Sequence, residues 1–314
     1  RIVLVRCPKN YDISDKKFII VAIVPLMIKE EGGDNIWINP EPNSVDSCKP
    51  LEFQFISEND RFCHDLYKKY CLLEESFNKN KNKIYSIKFV WTMMDQKAIN
   101  SCVLATSSKN SYSKRCYICL KTTAGRNSFQ NDVSNQIIYD KSKLEFGLSP
   151  LHFLLNSIKF LIEQVSNTNR DDIHNRIYDE FKIDLNDVRH GFGSQITGNV
   201  ARNFYKNALK LAEILNIDDK IVKSFSKLSQ MIRSPNIIDI KSIKLLNDEL
   251  LLYLKDKNLT PTIHKVLLHG DQIIDHLQME FSLAIGSFSE EPIEALIRKF
   301  RKIRTCNYQY IKGL

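Results

Sequence analysis

RCYICL at residues 115–120 and TIHKVLLHG at residues 262–270 are the two stretches whose joint reading decides the fold. Cys116 and Cys119 stand in a CxxC pair, and His264 and His269 are separated by four residues. Two thiolates and two imidazoles at these spacings suit one tetrahedral zinc site of the structural kind, with four protein ligands and no open position. Such a site pins the long intervening chain as a loop closed at its neck. Spacing alone leaves other readings open: a CxxC pair also serves redox chemistry, and two histidines on one helix are often surface or core residues.

Composition sets the frame around this clasp. The chain has 314 residues, enough for one large domain or two modest ones with an ample core. At 43% hydrophobic and 26% charged residues it reads as a soluble globular protein. No apolar run reaches the roughly 20 residues of a membrane span, and the longest, FIIVAIVPLMI from Phe18 to Ile28, is interrupted by Pro25. Eight cysteines are scattered without a disulfide rhythm, which points to a reducing compartment. A net charge of +8 favours polyanionic partners, nucleic acid among them. The chain starts at Arg1 and not at Met, as expected of a piece of a longer protein.

The first hundred residues read as sheet. Ile2 to Val5, Phe18 to Ile28, Asn35 to Asn39 and a stretch from Leu51 are β-branched or aromatic runs separated by turn residues. Residues 60 to 77 carry a helical pattern with Leu66, Tyr70 and Leu73 on one face, and IYSIKFVWTMMD alternates as a strand ending at Asp95. From about residue 150 the period becomes helical. One stripe runs from Leu151 to Val165, another carries Ile173, Ile177 and Phe181, and a third helix spans Asn199 to Leu215. Asp218 or Asp219 caps the next, a further helix covers roughly 241 to 255, Pro261 opens the one bearing His264 and His269, and the last begins at Ser289. The expected class is mixed α+β. Its expected parts are a β-rich front over 1–104, a mostly helical middle over 105–270 and a closing segment with the last helix over 271–314.

Several residues flanking the clasp could carry chemistry. Asp95 ends an apolar strand, and Glu290 stands in the first turn of a helix, where the dipole favours a carboxylate anion suited to a divalent metal. SEEP is equally an ordinary helix start with Ser289 as cap. Arg298, Lys299, Arg301 and Lys302 suit phosphate neutralisation or a solvated face. Arg202 in GNVAR is a further phosphate contact, and His152 a polar contact or proton donor, although such a histidine is more often structural.

Read in order, the motifs are WINPEPNS, CKPLEF, MMDQK, CYIC, FGLSPLH, GFGSQITGNVAR, TIHKVLLH and SEEPIEALIRKFRK. This series resembles the catalytic core of Transib transposases and of the vertebrate V(D)J recombination-activating protein, subunit one, over nearly the entire chain. The resemblance implies a ribonuclease-H-like core with a long, mostly helical zinc-binding insertion before the last catalytic residue. It implies Cys116, Cys119, His264 and His269 as zinc ligands. Asp95 and Glu290, with Glu291 as the register alternative for the latter, are the implied catalytic ligands of Mg²⁺ or Mn²⁺. His152 and Arg202 match an active-site histidine and a residue of the insertion. The implied activity is DNA nicking followed by hairpin formation, in the nucleus, on double-stranded DNA at transposon ends, by a homodimer with an accessory subunit as a further partner. One departure stands at the front, where the family's first catalytic aspartate lies in an Asp-Gly motif that this chain lacks. Either that aspartate preceded Arg1, or IVLVRCP is a decayed version of its strand with Cys7 and Pro8 near its place. A domesticated or decayed descendant that binds DNA or protein without cutting is therefore the alternative reading.

Overall fold

IIVAIVP holds no polar side chain, and a strand of this composition has to be buried on both faces. The structure is a computed structural model that describes residues 2–7, 19–30, 34–54, 60–79, 86–91, 99, 102–103, 116–119, 141–164, 170–185, 196–255, 257 and 259–300. Among these, β1 (Ile2–Cys7) pairs antiparallel with β2 (Ile19–Pro25), Ile2 facing Pro25 and Cys7 facing Ile20. Consecutive residues Ile20, Val21 and Ala22 are all buried, as the two-faced reading requires. A small second sheet joins β3 (Met27–Lys29) to β4 (Asn35–Ile38), with Ile28 opposite Trp37. β5 (Lys49–Gln54) then returns antiparallel to β2, and β6 (Phe89–Val90) lies parallel to β1, giving the sheet order β5-β2-β1-β6.

The chain is a mixed α+β protein that divides into two compact units. The first comprises Arg1–Thr106, Glu145–Ser149 and Ser287–Leu314, and contains this sheet. Its helix α1 (Asp60–Asn78) buries Cys63, Leu66 and Tyr70, and the rings of Tyr67 and Tyr70 meet Trp91 and Phe89 at centroid separations of 4.8 Å and 6.0 Å. Leu73, expected on that face, is exposed. Counted from Cys63 at 100° per residue, Leu66 and Tyr70 lie at about −60° and −20° and Leu73 at about −80°, just past the edge of the buried stripe.

The strand expected to lead to Asp95 begins only at Phe89. The Asn78 side chain takes both backbone groups of Ile87, at 2.9 Å and 2.8 Å, and Glu74 accepts the Phe89 N–H at 2.6 Å. The end of α1 thus occupies the backbone groups that a longer ladder would use. Residues 92–98, Asp95 with them, lie outside the described residues.

The second unit, Ser107–Leu144 and Pro150–Gly286, is helical where it is described. It contains α2 (Pro150–Glu163), α3 (Arg170–Phe181), α4 (Gly198–Lys206), α5 (Ala208–Leu215), α6 (Asp219–Met231), α7 (Ile240–Tyr253) and α8 (Pro261–Phe281). Phe153 and Phe160 both meet the ring of Phe225 at 6.2 Å and 6.1 Å, so α2 and α6 share the centre of the core. The helix expected from Asn199 to Leu215 is two helices that break at Asn207. There the side-chain amide bonds the Asn203 carbonyl at 2.9 Å, competing with the regular ladder. Two start signals read from the sequence hold, the Asp218 cap and Pro261 at the head of α8, and three further caps join them. Thr197, Asp218, Asp239 and Thr260 each accept a backbone N–H at the start of α4, α6, α7 and α8, and Pro261 opens α8. In the first unit, residues 291–300 form a last helix, α9, with Ile293, Leu296 and Ile297 buried.

Candidate metal centre

The CYIC segment folds as a tight turn with Cys116, Tyr117 and Ile118 buried. Against it stands the start of α8, whose Thr260 cap and first-position proline fix where the helix begins and hence where its histidines fall. His264 and His269, each 2% exposed, bring their rings to a centroid separation of 5.4 Å. One ligating atom from each of Cys116, Cys119, His264 and His269 lies within 4.8 Å of all the others. The Cys119 Sγ stands 3.3 Å from His264 Nε2. Around a tetrahedral zinc with bonds of about 2.0–2.3 Å, neighbouring ligand atoms are separated by roughly 3.3–3.8 Å, so these side chains need little adjustment to hold a metal ion. Among the described residues no other group of three or more ligating side chains is gathered.

Electrostatics at the site favour a deprotonated sulfur. A hydrogen bond from Cys119 is the main cause that holds the Cys116 thiol down at about 7, burial opposes it, and the positive charge of Lys265 acts in the same lowering direction. The Cys119 thiol is pushed up, first by that same bond and then by burial, with His264 and His269 offsetting part of the effect. The shared bond thus favours loss of the first proton from Cys116 and retention of the other on Cys119. Behind the ligands, Asn247 of α7 donates to the Val266 carbonyl at 3.1 Å, a buried bond that fixes the first turns of α8.

The remaining candidates fall in different places. Glu290 is 2% exposed and accepts a hydrogen bond from the Ser149 hydroxyl, while Ser289 caps α9 by accepting the Glu291 N–H at 3.2 Å. Glu291, the register alternative, is half-buried. Arg298 and Lys299 project into solvent from α9, and Arg301 and Lys302 lie outside the described residues, as does Asp95. In the helical unit, Arg202 donates to Asn199 Oδ1 at 3.0 Å. A Cβ on Gly198 would stand 3.3 Å from Arg202 Nη1 and 3.0 Å from Leu151 Cδ1, so the N-terminal ends of α4 and α2, which carry Arg202 and His152, lie side by side. Sequence reasoning missed three participants: Ser149, Tyr117 and Lys265. The one available signal was a lysine set among apolar residues between two histidines in IHKVLLH.

No protein-family model matches the chain, and no curated protein matches it.

Proposed function

We propose that this chain is a DNA-binding protein of the transposase and recombinase type, similar to the Transib and V(D)J recombination-activating catalytic cores. The proposed activity is cleavage and joining of DNA strands by two-metal chemistry, nicking and then forming a hairpin. The observation that carries the reading is the chain order of the two units. A sheet-bearing unit is interrupted by a helical unit holding the Cys116, Cys119, His264 and His269 set, and the segment with Glu290 returns to the sheet-bearing unit. A ribonuclease-H-like core with a zinc-binding insertion before its last acid has this order. The net charge of +8, with Arg298 and Lys299 exposed on the helix that follows Glu290, suits a DNA backbone and a nuclear setting. Double-stranded DNA at element ends is the proposed partner, bound by a homodimer with room for an accessory subunit.

Zinc fits the Cys2His2 set, in which Cys116, His264 and His269 are buried and Cys119 half-buried with their ligand atoms gathered together, and four protein ligands make its contribution structural. The turn at Cys116 and the start of α8 do the remaining work by presenting those ligands from two distant parts of the chain. Magnesium or manganese lacks a comparable set among the described residues. Of the expected carboxylates, Glu290 and its register alternative Glu291 are described and Asp95 is not, and the Glu290 Oε1 is engaged by Ser149. This engagement favours the second reading, a descendant that binds DNA without cutting it.

Duplex DNA separates the two readings. Binding is expected in both, weakening linearly in log affinity with log salt concentration. Nicking that requires Mg²⁺ or Mn²⁺ and is abolished by Asp95→Ala and by Glu290→Ala supports the recombinase; binding without nicking supports the descendant. A protein that does not bind duplex DNA at low salt rejects both.

A further inference from the structure

Each ligand stretch carries, among its buried non-ligand side chains, a polar or charged one that ligation does not require. Tyr117 lies between the two cysteines and is fully buried, and Lys265 follows His264 and is 2% exposed. A lysine buried to this degree is costly unless its ammonium is compensated. Here the Lys265 Nζ stands 5.4 Å from the centroid of the Tyr117 ring, within cation–π range, and the contact strengthens when both groups are desolvated. It joins the same two segments that a metal joins, the CYIC turn and the first turns of α8, through groups that are not ligands.

We infer that Tyr117 and Lys265 form a metal-independent latch, which docks the CYIC turn on α8 and gathers the four ligands before the ion arrives. The inference rests on the reading that this set binds a metal. With the latch closed, the ordering of the turn is completed on folding and not on metal uptake, so affinity depends on a pair that never touches the ion. Lys265 and Tyr117 are positioning residues in this scheme, and their loss changes how tightly the metal binds without changing what binds it.

The test compares Zn²⁺ affinity, by competition with a chromophoric chelator, in the wild type, Lys265→Met, Tyr117→Leu and the double variant. Each single change is expected to weaken binding about tenfold, and the double variant to be within about twofold of the weaker single, because both remove one contact. Lys265→Arg, which keeps a cation able to stack on the ring, is expected to stay within about threefold of the wild type. Unchanged affinity in both single variants, or losses that simply add, would overturn the latch. A second arm follows amide hydrogen exchange of residues 116–119 in metal-stripped protein: protection in the wild type that either single change abolishes supports the latch, and equally fast exchange in all forms overturns it. A wild type that takes up no zinc defeats the metal reading, and the exchange arm still decides the latch. A wild type and variants that take up zinc equally well defeat the latch alone. If Lys265→Met does not fold, Tyr117→Leu, which leaves α8 intact, carries both arms.

Discussion

Cys48 shows what a single buried group does to the sheet-bearing unit. Burial pushes its thiol up from 9.0 to about 12, against the opposing charge of Lys49. The folded chain therefore favours the neutral thiol more than the unfolded chain does. That contribution is whole below pH 9.0 and is lost as pH rises through the folded value near 12. Stability followed by denaturant unfolding is expected to fall above pH 9, and Cys48→Ala to flatten the fall by on the order of 1 kcal/mol per pH unit. Gly286 makes a steric demand of a different kind. A Cβ there would lie 2.6 Å from the Arg233 carbonyl oxygen and would also strike the Ser234 carbonyl, both of them backbone atoms that cannot swing away. Gly286→Ala is expected to cost roughly 2–3 kcal/mol of stability, read from the urea midpoint. Single residues were legible in the sequence where their spacing was specific, as for Cys116 and His269. They were hidden where only a distant partner gives them meaning, as for Ser149 beside Glu290 or Gly286 beneath Arg233.

At the level of elements, start signals in the sequence placed the helices well because a cap acts within three or four residues. Asp218 and Pro261 mark helix starts that needed no tertiary information. Interruptions were harder. The break at Asn207 depends on a side-chain amide bonding the preceding turn, and the late start of β6 depends on Asn78 of a different element pairing with Ile87. Neither competitor is visible in hydrophobic periodicity. A third contact of this type ties the segment before α7 to α8, where the Gln278 amide exchanges two hydrogen bonds with the Ile238 backbone, at 2.9 Å and 3.0 Å, as a neighbouring strand would. Gln278→Ala removes both and is expected to cost about 1–3 kcal/mol. Gln278→Glu keeps the acceptor but loses the donor, so it should fall between the two in a chemical-denaturation series.

Across the whole molecule, the mixed α+β class was legible because the chain changes period near residue 150, from the alternation of strands to the stripes of helices. How segments far apart in sequence group into two units was not legible from period, since Glu145–Ser149 joins the sheet-bearing unit as a short piece between helical stretches. What bound the distant segments together in the sequence was ligand chemistry, two sulfurs and two imidazoles. The metal centre is therefore the point on which the account depends. The direct test is metal analysis by native mass spectrometry of the purified protein beside Cys116→Ser and His269→Ala. The account predicts one zinc ion per wild-type chain, its loss in both variants, and a fall in unfolding temperature of about 5 °C or more on substitution or chelation. A metal-free wild type, or variants that retain the ion and the same unfolding temperature, would contradict it.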